Sequence, residues 1–237
     1  MKAGRITRGA FTRTLALSAA AAFALARSGD QEGEAILRSV DARIASVRDY
    51  AVTLDVVADI ERLNVPPMHA TMYFKQPDKV HLDAEGFAML PREGLQPNFS
   101  KLLTRFNVAA VGKDTVDGVP LKKVVLQPKS ERTFPRSLTI DVNTERWTPE
   151  RIVTTGSGDR VATITFTYVQ VGGVWLASEM KAGFSLAAPD SAEADMPSAP
   201  MRPPQTPRKG TVSVTFGNYR INTGLSDDIF SKDQPGR

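Results

Sequence analysis

The spacing of hydrophobic residues changes period once, at Tyr50. Before it, Leu37, Val40, Ile44 and Val47 recur at three- and four-residue steps, which predicts one amphipathic helix over 34–49. From it, Tyr50, Val52, Leu54, Val56, Ala58 and Ile60 alternate with Ala51, Thr53, Asp55, Val57, Asp59 and Glu61, which predicts a strand with one apolar face. After Pro66-Pro67 the alternation resumes with Met68, Ala70, Met72 and Phe74. It continues past Gln76-Pro77-Asp78 with Val80, Leu82 and Ala84. Further strands are predicted at 107–112, 121–127, 136–142, 150–155, 160–170, 174–186 and 210–221, separated by turn pairs such as Asp117-Gly118 and Gly172-Gly173. Short strands at regular spacing indicate an antiparallel meander or barrel.

Two segments break this rhythm. In 85–106, Gly86, Pro91, Gly94 and Pro97 interrupt Phe87, Met89, Leu90, Leu95, Phe99, Leu102, Leu103 and Phe106, which reads as a mobile, partly helical, apolar flap. Residues 187–209 hold Pro189, Pro197, Pro200, Pro203, Pro204 and Pro207 and almost no large side chain, which predicts an extended or disordered loop. No internal repeat and no second run of helices is present, so 27–237 is expected to be a single domain.

The amino end has a different character. Lys2, Arg5, Arg8 and Arg13 precede the apolar run Leu15 to Ala26, which closes on Ala24-Leu25-Ala26, the layout of a secretory signal peptide cut after Ala26. The run is shorter than the roughly 20 residues needed to cross a bilayer. No two of these arginines are adjacent and no cysteine stands at the cut, so the general secretory route to the periplasm and a product without a lipid anchor are expected. Residues 1–26 carry four of the 30 basic side chains and none of the 26 acidic ones, so the remainder is balanced. A balanced charge leaves no electrostatic footprint for nucleic acid or for an anionic membrane. Absence of cysteine removes disulfides and thiolate chemistry, and stability must come from burial.

Candidate chemistry is sparse. His69 and His81 fall on the charged faces of their strands with no third ligand at metal spacing, so both are read as solvated and no metal is expected. Gly156-Ser157-Gly158 joins two strands and lacks the following helix of a phosphate loop. No serine sits in a Gly-x-Ser-x-Gly elbow. The chain is therefore read as a protein without catalytic residues or cofactors.

What remains is an excess of apolar surface: many one-sided strands, one helix and a flap must cover a single sheet face. A curled sheet with an incompletely filled interior would satisfy this. Leu54, Val56, Met72, Phe74, Leu82, Phe87, Met89, Phe99, Leu103, Phe106, Ile140, Phe184 and Phe216 are the candidate wall of an apolar cavity, with methionines supplying adaptable surface for an aliphatic guest. Read one at a time, such residues are ordinary core.

Several stretches resemble the LolA-like family of periplasmic lipoprotein carriers and sorting factors. They are the initial helix leading into a long strand, Tyr73-Phe74-Lys75-Gln76-Pro77-Asp78-Lys79-Val80, Gly118-Val119-Pro120, Leu126-Gln127-Pro128-Lys129, and Leu138-Thr139-Ile140-Asp141. Phe166, Tyr168 and Val174-Trp175-Leu176 continue the likeness, and Tyr219-Arg220-Ile221-Asn222-Thr223-Gly224-Leu225 with Asp228-Ile229-Phe230 closes it. The resemblance implies an α+β, mainly antiparallel fold: a curved half-open β-barrel whose N-terminal helix and flap cover a cavity for the acyl chains of a lipoprotein or lipid. It also implies protein partners at the inner and outer membranes. The competing reading is an envelope sensor or regulator that uses the same fold to bind a protein.

Overall fold

The computed structural model describes residues 14–84, 98–116, 118–156, 161–185 and 209–231. Phe87, Met89, the rest of 85–97 and the proline-rich 187–208 lie outside them.

Ten strands form one antiparallel sheet. They are β1 (Asp49–Ile60), β2 (Met68–Lys75), β3 (Lys79–Ala84), β4 (Phe106–Val116), β5 (Val119–Pro128), β6 (Ser137–Asn143), β7 (Thr148–Thr155), β8 (Val161–Val171), β9 (Val174–Ser185) and β10 (Lys209–Ile221). The order is β3-β2-β1-β10-β9-β8-β7-β6-β5-β4, so every neighbour is a chain neighbour except β1 and β10. The two sheet edges, β3 and β4, are consecutive in sequence. Bulges at Ala51/Thr53, Val108/Ala110, Asp141/Val142 and Thr167/Tyr168 add local twist. Both residues of the β8–β9 turn, Gly172 (φ +56°) and Gly173 (φ +83°), take the left-handed conformation that such a tight hairpin demands.

The predicted alternation sets the two faces. Tyr50, Val52, Leu54 and Val56 are buried, while Asp55, Val57 and Asp59 are exposed. Pairing Leu54 with Phe216 and Val56 with Val214 carries the apolar face across the β1–β10 seam, and Met72, Val124, Leu126, Ile140 and Ile152 extend it around the curve.

Among the described residues three helices accompany the sheet: α1 (Thr14–Arg43), α2 (Phe99–Arg105) and α3 (Asp228–Ser231). The first differs from its predicted span at both ends. It begins earlier because the alanine-rich run is the strongest helix former in the chain, and it continues through Gly29 and Gly33, which cost about 1 kcal/mol each. It stops earlier because the amides of Ile44, Ala45 and Val47 bond three residues back, and the Gln76 side chain donates to the carbonyls of Ile44, Ala45 and Val47 at 3.2, 3.1 and 2.8 Å. Those bonds satisfy carbonyls that a helix end leaves open. No described helix is long and apolar enough to cross a membrane.

Gly33 fixes how closely α1 lies on β4. A Cβ at that position would stand 2.6 Å from Cγ1 of Val108. The helix then lays Ile36, Leu37 and Val40 into the concave side.

Candidate functional site

Among the described residues the concave face is covered by α1 and α2. Two short polar latches connect α1, α2 and the sheet. The Asp41 carboxylate of α1 accepts from the Phe99 amide (3.0 Å), the Ser100 amide (2.6 Å) and the Ser100 hydroxyl (2.5 Å), while Asn98 caps the same end by accepting from the Lys101 amide at 2.8 Å. At the other end, the Lys129 ammonium at the end of β5 donates to the Leu103 carbonyl at 2.8 Å. A seven-residue helix is too short to persist alone, so these caps and the burial of Phe99 and Leu103 hold it in place. Asp41→Ala is expected to cost about 1 kcal/mol of α2 stability. Hydrogen exchange at the Phe106 amide, which bonds to the Leu102 carbonyl, should quicken about fivefold while amides of β1 keep their protection.

Of the thirteen wall candidates, nine are packed into one core: Leu54, Val56, Met72, Phe74, Phe99, Leu103, Phe106, Ile140 and Phe216. Leu82 is half-buried against that core. Phe184 is half-buried farther along β9, where its ring fills the space above Gly210 of β10. Phe87 and Met89 are outside the described residues. The interior is fuller than the sequence pattern predicts, because α1 and α2 contribute their own apolar side chains to it. Among the described residues, the cavity under the two helices has a volume of about 40 Å³. That holds a water or two, whereas sites for organic ligands run to roughly 300–1,000 Å³.

The lining of this cavity holds a feature that sequence reasoning missed. Arg43, the last residue of α1, turns inward among Tyr50, Tyr168 and Tyr219, three of the chain's four tyrosines. Its guanidinium donates to the Trp175 carbonyl at 2.8 Å and stands 5.6 Å from the centre of the Tyr168 ring. Its Nε has no hydrogen-bond partner among the described residues. Burial lowers the pKa of Arg43 and raises those of Tyr168, Tyr219 and Tyr50, so the phenols are neutral donors. Tyr219 donates to the Ala177 carbonyl at 2.8 Å and Tyr168 to that of Pro149. Asp41 lines the same cavity, but its oxygens are committed to α2. Nε of the cation is thus a spare donor within the cavity lining. The signal in the sequence was an arginine between Val40 and Ile44, inside the apolar arc of the helix.

A second polar group lies on the convex side. Asp141 of β6 is fully buried; Arg151 of β7 donates from Nε to Asp141 at 2.7 Å and from Nη2 to Asp114 at 2.7 Å, and Lys123 pairs with Asp114 at 2.9 Å. The side-chain hydrogen bond from Lys123 is the leading reason that the Asp114 pKa falls below its ordinary value. This network braces four neighbouring strands. His69 is exposed beside Asp55, as expected of a solvated residue, whereas His81 is half-buried with its ring 5.9 Å from that of Tyr73. Among the described residues no group of three or more His, Cys, Asp or Glu could hold a metal.

In sequence the chain matches no family profile and no curated protein. Solved structures do match it over most of its length. A DUF1329 family protein from Desulfovibrio piger superposes with a TM-score of 0.62 at 14% identity, covering 87% of this chain and 99% of the other. A structure described as an outer membrane lipoprotein-sorting protein domain from Vibrio parahaemolyticus gives 0.61 at 12% identity, with coverages of 88% and 98%. A LolA superfamily protein from Nitrosomonas europaea gives 0.52 at 10% identity, with coverages of 85% and 98%. The fold is LolA-like: a curved, open antiparallel sheet of ten strands with an N-terminal helix.

Proposed function

We propose that this chain is an exported carrier of the periplasm that takes up the acyl chains of a lipoprotein or lipid on the concave face of its sheet. The observation that carries the reading is the construction of the cover. An apolar face large enough to form a core is closed by two helices held through a few polar caps, not by strands of a continuous sheet. Moving α1 and α2 aside would expose Leu54, Met72, Phe74, Ile140 and Phe216 together, and an aliphatic guest would replace the side chains the helices withdraw.

Burying one 16-carbon chain yields roughly 12 kcal/mol before ordering costs, at about 0.8 kcal/mol per methylene. Release of the helices consumes part of that, which keeps binding reversible and lets cargo pass on. The unpartnered Nε of Arg43, carried at the C-terminal end of α1, suits an ester carbonyl or carboxylate at the polar end of such a guest. Carriage requires no covalent chemistry.

Cleavage after Ala26 would leave Gly33, Ile36, Leu37, Val40, Asp41 and Arg43 in the exported protein, so every α1 contact described above would survive it. Titration with a fluorescent 16-carbon acyl probe should give saturable, one-to-one binding. The absence of saturable binding would remove the carrier reading.

A further inference from the structure

We infer that the β5–β6 loop and the neighbouring α2 form a docking surface for an anionic phospholipid bilayer. The inference concerns the outside of the protein and holds whether or not the interior carries acyl cargo.

Phe134 is 61% exposed, the highest value among the large hydrophobic side chains of the described residues. It sits in a loop, residues 129–136, that is braced from within. The Thr133 amide donates to the Ser130 carbonyl at 2.9 Å, the Arg136 side chain donates to the Glu131 carbonyl at 2.5 Å, and the Arg136 amide donates to Thr155 of β7 at 2.7 Å. The loop is joined to α2 by the Lys129 amide, which donates to the Arg105 carbonyl at 2.9 Å.

The charge on these two segments is one-sided. Lys101 and Arg105 on α2 and Lys129, Arg132 and Arg136 on the loop face a single acidic residue, Glu131. None of the five makes an ion pair among the described residues. Elsewhere Lys75, Lys79, Lys122, Lys123, Arg146, Arg151 and Lys181 pair with carboxylates, while Arg48, Lys113, Lys209 and Arg220 are exposed without an ion pair among the described residues but lie on separate segments. The overall charge is balanced, yet here five exposed cations stand on the loop that carries one exposed aromatic ring and on the helix bonded to that loop, a local excess that matches a plane of lipid phosphates with hydrocarbon beneath it. Cations attract the headgroups and the ring enters the boundary layer. Docking here would place the end of α2 against the membrane.

Co-sedimentation of the protein purified from cells expressing the full chain tests this directly. It should partition onto vesicles of phosphatidylethanolamine with phosphatidylglycerol and not onto phosphatidylcholine alone, and high salt should weaken the binding. Arg105→Gln with Arg132→Gln should lower partitioning about 25-fold, about fivefold per charge. Phe134→Ser should lower it about tenfold or more. All three positions are exposed, and circular dichroism of each variant verifies the fold. Equal binding to both vesicle types, partitioning unchanged in these variants, or no sedimentation with either would overturn the inference. A lipid-sized mass retained by protein that binds no vesicle would leave acyl carriage standing while removing the docking surface.

Discussion

Oxidised Gly33→Cys/Val108→Cys protein is expected to take up less than about a tenth of the acyl probe bound by the same protein after reduction, because a guest has to displace α1. The pair is chosen from geometry. A Cβ at residue 33 stands 2.6 Å from Cγ1 of Val108, close to the separation of about 3 Å that a disulfide imposes between one Cβ and the opposite sulfur. The bond would join α1 to β4 at the edge of the opening and hold Ile36, Leu37 and Val40 in the concave face. The chain has no cysteine of its own, so no other thiol competes. Reduction restores mobility in the same molecule, which separates a closed cover from a damaged fold. Equal loading in both redox states would mean that guests enter without moving α1.

Arg151→Ala is expected to destabilise the fold by about 3–5 kcal/mol, lowering Tm by roughly 6–20 °C, the largest effect of any substitution on the convex side. Asp141 is fully buried, its Oδ1 has no hydrogen-bond partner among the described residues, and Arg151 Nε is the donor to its Oδ2. Without the guanidinium, a carboxylate remains inside the protein with no compensating charge. Lys123 does not replace it, since its ammonium is engaged with Asp114. Adding Asp141→Asn should recover a measurable part of the loss, because an amide is less costly to bury than an unpaired carboxylate. Thermal unfolding followed by circular dichroism reads both variants. A loss below about 1 kcal/mol in the single variant would show that water or backbone groups satisfy Asp141 instead.

The strands were legible because one face of each is buried, which imposes a period of two: Leu54 and Val56 against Asp55 and Val57 already state which side faces inward. Their boundaries came within a few residues for the same reason, as with 136–142 against Ser137–Asn143. The span of α1 was not legible. Its alanine-rich start reads as a targeting signal, and its end depends on Gln76, a residue on the far side of β1 and β2.

The candidate site divides in the same way. Apolar wall residues follow from alternation alone, but whether they line a void or a packed core depends on how much volume the helices supply, which no local pattern states. Arg43 acquires its meaning only when β8 and β10 bring Tyr168 and Tyr219 beside it. Asp141 and Arg151 lie ten positions apart, yet their contact requires the β6–β7 register, which a bulge shifts between Asp141 and Val142. Pairings across strands, unlike periods along them, become visible only in the fold.

Native mass spectrometry of the protein purified from the periplasm without detergent is the most direct test of acyl carriage. A discrete co-purifying mass of lipid size, lost when the acyl probe is added in excess, is the expected result. A bare polypeptide mass that stays unchanged after phospholipid and lipoprotein are offered, together with a stable complex with a protein partner, would contradict it.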